Sequence, residues 1–489
     1  MKTFGLFSGL ACVVVAWAFC GIMHAAEQAD ANRYNVLFIA IDDLRPELGC
    51  YGAKYAQTPS LDRFAARSMR FTRHYVSVAT CGSSRYAMLT GRSPKNSGVV
   101  GGNNAFHHGA TAIKPVEQAG AQTMPELFRR SGYHTSLIGK ISHTADGRVF
   151  AYDGSGDGRD EMPLAWSESL TPLGSWKRGW GIFFAYANGV HREDGLGYMP
   201  LREFNVKEDN ELPDGQMAEQ AIAKLKQYGS SGDRFFMGLG FFKPHLPFVA
   251  PKQDWDAFEG VDIPLPSAEK IESPYFHKSG EFYKYHTEHE KTHPLADDAT
   301  RNSKRAYLAC VRYVDRQVGR VLRTLEETGL SKDTVVVVWG DHGWHLGEQQ
   351  IWGKHTPFER ANRSVLMIAS PKMRSAGREN DSLVSSIDLY PTLVELCNTK
   401  FRSTNHELDG VSLVPTLRHE RTRVRETVTS YWRKATSIRD DRYRLVTTLA
   451  ADGSRDNELY DLLETDDSIE NIAERETEVC ERLLNAAGL

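Results

Sequence analysis

Cysteine is scarce in this chain, seven in 489 residues, and no two stand in a Cys-x-x-Cys spacing. That excludes the usual zinc-ligand patterns. Neither sign of charge is in excess: Lys+Arg 59 against Asp+Glu 63 leaves −4. A broad basic face for nucleic acid is therefore excluded, and any specificity for anions has to come from a few placed cations. There is no low-complexity tract. What remains is a globular composition, 41% hydrophobic and 25% charged, in a chain too long for one ordinary domain.

One N-terminal stretch differs. "MKTFGLFSGLACVVVAWAFCGIMHAA" has one Lys, then an apolar run, then small residues, the pattern of a secretory signal peptide. Residues 1–26 are expected to be removed and the protein exported to the periplasm or beyond. An uncleaved anchor is the alternative, because the run approaches membrane-spanning length; no stable membrane insertion is expected of the mature chain. Cys20 follows the bulky Phe19, which argues against lipid attachment. Removal leaves Cys50, Cys81, Cys310, Cys397 and Cys480, an odd number, so at least one is unpaired or modified.

Short apolar runs alternate with helical patterns along most of the chain. "NVLFIAIDD" reads as a buried strand ending in two carboxylates. "TMPELFRRSGYHTSLIGK" reads as helix, Gly stop and strand, and "DRFFMGLGFFKPH" as a strand broken by Pro. Residues 301–343 read as a long amphipathic helix and a Val-rich strand, and "RSVLMIASP" as one more. This alternation predicts an α/β fold with a mostly parallel central sheet flanked by helices. Residues 144–215 and 262–300 fit no element and are expected to be loops on the rim of the sheet. The main domain is expected over 27–418. Residues 419–489 read as a C-terminal α+β subdomain, a small antiparallel sheet with a final helix.

In a parallel sheet the strand carboxyl ends share one edge, where open α/β folds bind ligands. Here those ends carry Asp42 and Asp43, Lys140 and His143, Lys243 and His245, and Asp341 and His342. Three carboxylates on adjacent strand ends repel unless a cation lies between them, and hard oxygen donors suit Ca²⁺ or Mg²⁺. Cys81 opens a helical pattern in "CGSSRYAMLTGR". A tyrosine-phosphatase loop needs Arg six residues after its Cys, and that position is Ala87. A Cys-His hydrolase and a buried structural Cys both stay open.

"CGSSRYAMLTGR" resembles the type I sulfatase signature, in which the Cys is oxidised to formylglycine (3-oxoalanine). "AIDDLRPELGCYG", "TPSLDRFA", "GKISH", "KPHLPF", "GDHGWHLGEQQIWGKH" and "SSIDLYPTLVELC" match the family in order over residues 34 to 475. The match is closest to the iduronate-2-sulfatase-like branch, within the alkaline phosphatase superfamily, where the late metal pair is Asp-His. The resemblance implies a Ca²⁺ held by Asp42, Asp43, Asp341 and His342 with the modified Cys81. It implies Arg85, Lys140 and Lys354 as charge-neutralising groups, His143 as base for release of sulfate, and His245 as acid for the leaving alcohol. It also implies a sulfated saccharide substrate and a maturation enzyme acting on Cys81. Ser83 stands where the oxygen-dependent maturation enzyme prefers Pro, which leaves the maturation system open.

Lys243, Trp344 and His345 are further candidates for substrate contact. "YHTEHEKTH", with His286, His289 and His293, lacks the spacing of the zinc proteases and is read as a solvated segment. Two rivals accompany the sulfatase reading: a phosphoester or phosphonate ester hydrolase, and a non-catalytic polysaccharide-binding relative.

Overall fold

The computed structural model describes residues 33–195, 199–267, 269–276, 280–285, 294–419 and 421–489. The expected signal segment and the His286–His293 run lie outside the described residues. Among the described residues no helix is long and apolar enough to cross a membrane.

Six strands of six or seven residues carry the central sheet: β1 (Asn35–Ile41), β2 (Met69–Tyr75), β3 (His134–Gly139), β4 (Phe235–Phe241), β5 (Thr334–Gly340) and β6 (Arg363–Ala369). Their order is β2-β6-β5-β1-β4-β3, with two-residue strands at the edges. β1 pairs in parallel with β4 and β5, and β3 with β4. β6 runs against both of its neighbours, so the sheet is mixed.

The central strands are apolar throughout because both faces are covered. Along β1 the side chains alternate between two cores. Leu37, Ile39 and Ile41 join Met217, Ala221 and Leu225 of α2 (Pro213–Ser231) and Leu308, Val311 and Val314 of α3 (Asp297–Glu327). Val36, Phe38 and Ala40 join Met88 and Leu89 of α1 (Cys81–Thr90) and Leu389 and Leu393 of α4 (Leu389–Leu396).

Register brings the strand ends level: Ile41 is opposite Gly340 and Phe241, and Gly139 is opposite Gly240. Gly240 is required there. A Cβ on it would lie 2.0 Å from the Lys140 carbonyl oxygen.

The C-terminal sheet is a four-stranded antiparallel meander: β7 (Val428–Trp432), β8 (Ala435–Arg439), β9 (Tyr443–Leu449) and β10 (Arg455–Asp461), followed by α5 (Thr477–Ala486). It is tied to the main body through Glu359. That buried carboxylate accepts from Tyr75 of β2 (2.7 Å) and from Arg444 Nε of β9 (3.1 Å).

Candidate active site

The level strand ends set Asp341 and His342, Asp42 and Asp43, His245, and Lys140 with His143 side by side along one edge. α1 points its N-terminus at them and delivers Cys81 as its first residue. Asn103 Oδ1 accepts the Gly82 N–H (2.9 Å), holding this end of the helix.

Cys81 Sγ is 3.2 Å from His342 Nε2, 3.3 Å from Lys354 Nζ and 3.4 Å from Asp42 Oδ1. Lys140 Nζ donates to Asp42 Oδ2 (2.7 Å), and Lys354 Nζ to Asp43 Oδ1 (2.9 Å). Arg85 Nε donates to Asp341 Oδ2 (2.9 Å), while its other nitrogens reach Asp42 and the Lys140 carbonyl. Asp341 Oδ1 accepts the Asp43 N–H (2.9 Å). That bond pins Asp43 in the left-handed region at φ 60.

All of these groups are buried. Burial pushes the Asp42 carboxyl up, but Lys140, His245 and Arg85 more than reverse it and hold it well below the usual carboxylate range. At Asp43 burial wins over Lys354, with Asp42 and Asp341 adding to it, and its carboxyl is raised. Burial raises the Cys81 thiol as well, helped by Asp42. This thiol is not the activated thiolate that a Cys-His hydrolase needs.

His342 is held neutral by burial, its pKa lowered to about 4. Its Nδ1 lies 3.0 Å from the Gly343 carbonyl, so the proton stays there and the Nε2 lone pair faces the cluster. Burial lowers His143 and His245 too, seconded by Lys140 and Lys354 respectively. His245 Nδ1 contacts the Leu246 carbonyl (2.6 Å), and its Nε2 is 4.0 Å from Asp43 Oδ2. His143 packs on Trp180, ring centres 5.4 Å apart.

One donor atom each of Asp42, Asp43, Cys81 and His342 lies within 4.8 Å of every other. Asp43 Oδ2 is buried with no hydrogen-bond partner. Close carboxylates, an orphaned oxygen and an inward imidazole lone pair fit a divalent cation.

The three residues expected to contact substrate make the following contacts within the protein. Lys243 turns its ammonium back onto the carbonyls of His245 (3.0 Å) and Pro247 (2.6 Å), where it braces the turn that carries His245. Trp344 belongs to the buried core, with Lys354 Nζ 5.1 Å from its ring centre. His345 is fully buried and bonded to Thr356 Oγ1 (3.0 Å).

Two other residues join the site without having been singled out. Glu281, inside the 262–300 loop, lies 3.2 Å from Lys354 Nζ and within reach of Asp43 and His245. No periodicity or motif marks it. The Phe183 ring packs against both Lys140 Nζ (4.2 Å) and His245 (4.4 Å). Its "GIFFAY" context is an apolar cluster in a Gly-rich stretch and signals packing only.

Comparison with known proteins matches residues 34–399 to the protein family described as Sulfatase. Residues 347–485 match the C-terminal region of N-sulphoglucosamine sulphohydrolase. Iduronate 2-sulfatase of Mus musculus is 29% identical over 423 residues, covering 78% of this chain and 72% of that protein. Among solved structures, the phosphonate monoester hydrolase of Agrobacterium radiobacter superposes with a TM-score of 0.74 at 21% identity, covering 93% and 96% of the two chains. A protein in complex with its substrate D-glucosamine-2-N,6-O-disulfate gives 0.66 at 21% identity over the same shares. At these identities the structures speak for the fold alone.

Proposed function

This chain belongs to the sulfatase family of enzymes, and from that premise we propose that it is an exported hydrolase removing sulfate from a sulfated, uronate-bearing saccharide. The observation that carries the reading is the meeting of Cys81, the Asp42–Asp43–His342 donors and three cations at one sheet edge.

Formal charge refines the reading. Asp42, Asp43, Asp341 and Glu281 face Arg85, Lys140 and Lys354, leaving one net negative charge. A divalent cation makes it one net positive, the complement of a sulfate monoester, whereas a phosphate monoester carries about −1.5 to −2. Asp42, Asp43, Asp341, His342 and the modified Cys81 would hold Ca²⁺, which supplies positive charge at the sulfate oxygens. Formylglycine at Cys81, once water has added to its aldehyde, would supply two hydroxyls on one carbon, one to attack sulfur and one to let sulfate go as the aldehyde re-forms.

The chain's own residues supply the rest. Lys140 and Lys354, fixed on Asp42 and Asp43, are aimed at the same spot as Cys81 and neutralise charge as the S–O bond breaks. Arg85 holds Asp341 and Asp42 in place. His143, kept neutral by burial, is suited to take a proton from the second hydroxyl. His245, braced by Lys243, gives the departing sugar oxygen its proton. The incoming anion favours its protonated form.

A phosphonate monoester also carries a single charge, so the charge balance does not separate that rival. Turnover of 4-nitrophenyl sulfate against an aryl phosphonate monoester does, followed by a panel of sulfated saccharides with product analysis. Preference for the phosphonate would replace this reading. Stoichiometric saccharide binding by fully modified protein, without turnover, would support the non-catalytic alternative.

A further inference from the structure

We propose that the turn between β7 and β8 reads a second anionic group of the substrate, a carboxylate or a further sulfate on the same sugar chain, through Arg433 and Lys434. The inference rests on the saccharide reading above and adds specificity-determining residues to it.

The turn is fixed to the segment that leads into Cys81. Tyr431 forms a parallel bridge with Val78 and its N–H donates to the Ser77 carbonyl (2.8 Å). Ser430 Oγ donates to the Val76 carbonyl (2.7 Å), and the Arg433 N–H to Val100 (2.8 Å). From the other side His355, the neighbour of Lys354, stacks on Trp432 with ring centres 5.0 Å apart and planes 22° apart. His355 Nε2 is 3.2 Å from Thr80 Oγ1, beside Cys81. Contacts thus run from Thr80, the residue before Cys81, through His355 to Trp432, and the next two residues are cations.

Those cations are exposed. Elsewhere in the same sheet arginines face carboxylates: Arg439 and Arg444 meet Glu359, and Arg442 meets Asp461. Arg433 and Lys434 meet no carboxylate among the described residues. Arg433 lies over the Trp432 ring, its Cζ 5.3 Å from the centre, and sits in the left-handed region at φ 54. A guanidinium held on an aromatic face that His355 and Thr80 link to Cys81 is pre-organised to take a charged substituent of a sugar. Such a contact lies away from the breaking bond and acts equally on ground and transition states, so it sets KM rather than kcat.

The test uses two matched substrate pairs: a 2-sulfated uronic acid disaccharide with its carboxamide, and a disulfated glucosamine with its monosulfate. 4-Nitrophenyl sulfate is measured alongside. The wild-type protein is expected to favour the more charged member of at least one pair by about tenfold or more in KM, on the scale of one charge-assisted contact. Arg433→Gln with Lys434→Gln should erase that preference while kcat changes less than about twofold, and Arg433→Lys should restore part of it. An unaltered preference in the double variant overturns the proposal, as does wild-type indifference within both pairs. Cleavage of 4-nitrophenyl sulfate with no cleavage of any saccharide also overturns it and leaves sulfatase activity standing. Failure to cleave 4-nitrophenyl sulfate as well counts against the activity itself.

Discussion

Replacing Glu359 by Gln severs the charge link between the central sheet and the C-terminal sheet while keeping the side chain's shape. Burial pushes this carboxyl up from 4.5, but Arg444, Arg439 and Arg363, with the Tyr75 hydroxyl, bring it down to about 2. A folded-state pKa below the unfolded one means stability that is present above about pH 4.5 and lost as pH falls through about 2. At about 1.4 kcal/mol per pH unit the difference corresponds to about 3 kcal/mol at neutral pH. At about pH 3.5 linkage leaves about 2 kcal/mol, and near pH 2 almost none. Gln cannot carry the charge, and its amide hydrogens face guanidinium groups, so the variant should lose at least that amount. Urea unfolding of both proteins, followed by tryptophan fluorescence at neutral pH and near pH 3.5, measures the gap. A gap that is absent at neutral pH, or that stays constant as pH falls, refutes the reasoning.

Peptide mass spectrometry of active protein should find formylglycine at position 81, and only unmodified Cys in a fully active preparation would falsify that assignment. Cys81→Ala should abolish turnover with the circular dichroism spectrum retained. Asp42→Asn should lose bound Ca²⁺ by elemental analysis and slow turnover by roughly a hundredfold or more; retained metal with near-normal rate contradicts the carboxylate cluster. Gly240→Ala drives a Cβ into the Lys140 backbone, 2.0 Å away, so β3 and β4 must part, and soluble, fully active variant protein would contradict the close approach.

The central strands were legible because burial on both faces leaves unbroken apolar runs, as in "NVLFIAI" and "TVVVVWG". The polar residues that end those runs were legible for the same reason: the strand ends where the sheet meets its functional edge. Register then does the rest, setting Asp42 beside Asp341. The direction of β6 was not legible, since "RSVLMIA" reads identically in either sense and only its connection decides. Glu281 was hidden because a loop residue gains its role from where the chain folds back, and composition carries no trace of that. Lys243, Trp344 and His345 show the converse. They adjoin site residues in sequence, yet each turns its polar or aromatic group to support a neighbour.

The burial of Cys81 has a consequence in time. In the folded chain its sulfur lies against His342, 261 residues downstream, and Lys354, 273 residues downstream. During synthesis at about 5–20 residues per second, those partners follow Cys81 by roughly 13 to 55 seconds. On the proposed conversion of Cys81 to formylglycine, the converting enzyme would have that interval, prolonged by any delay in folding, in which to reach the thiol. A chain that folds first closes the helix start against the strand ends and keeps an unreacted sulfur. On that proposal the fraction of active molecules would be set by a race between modification and folding, and slower folding, at lower temperature for example, would favour the modified product.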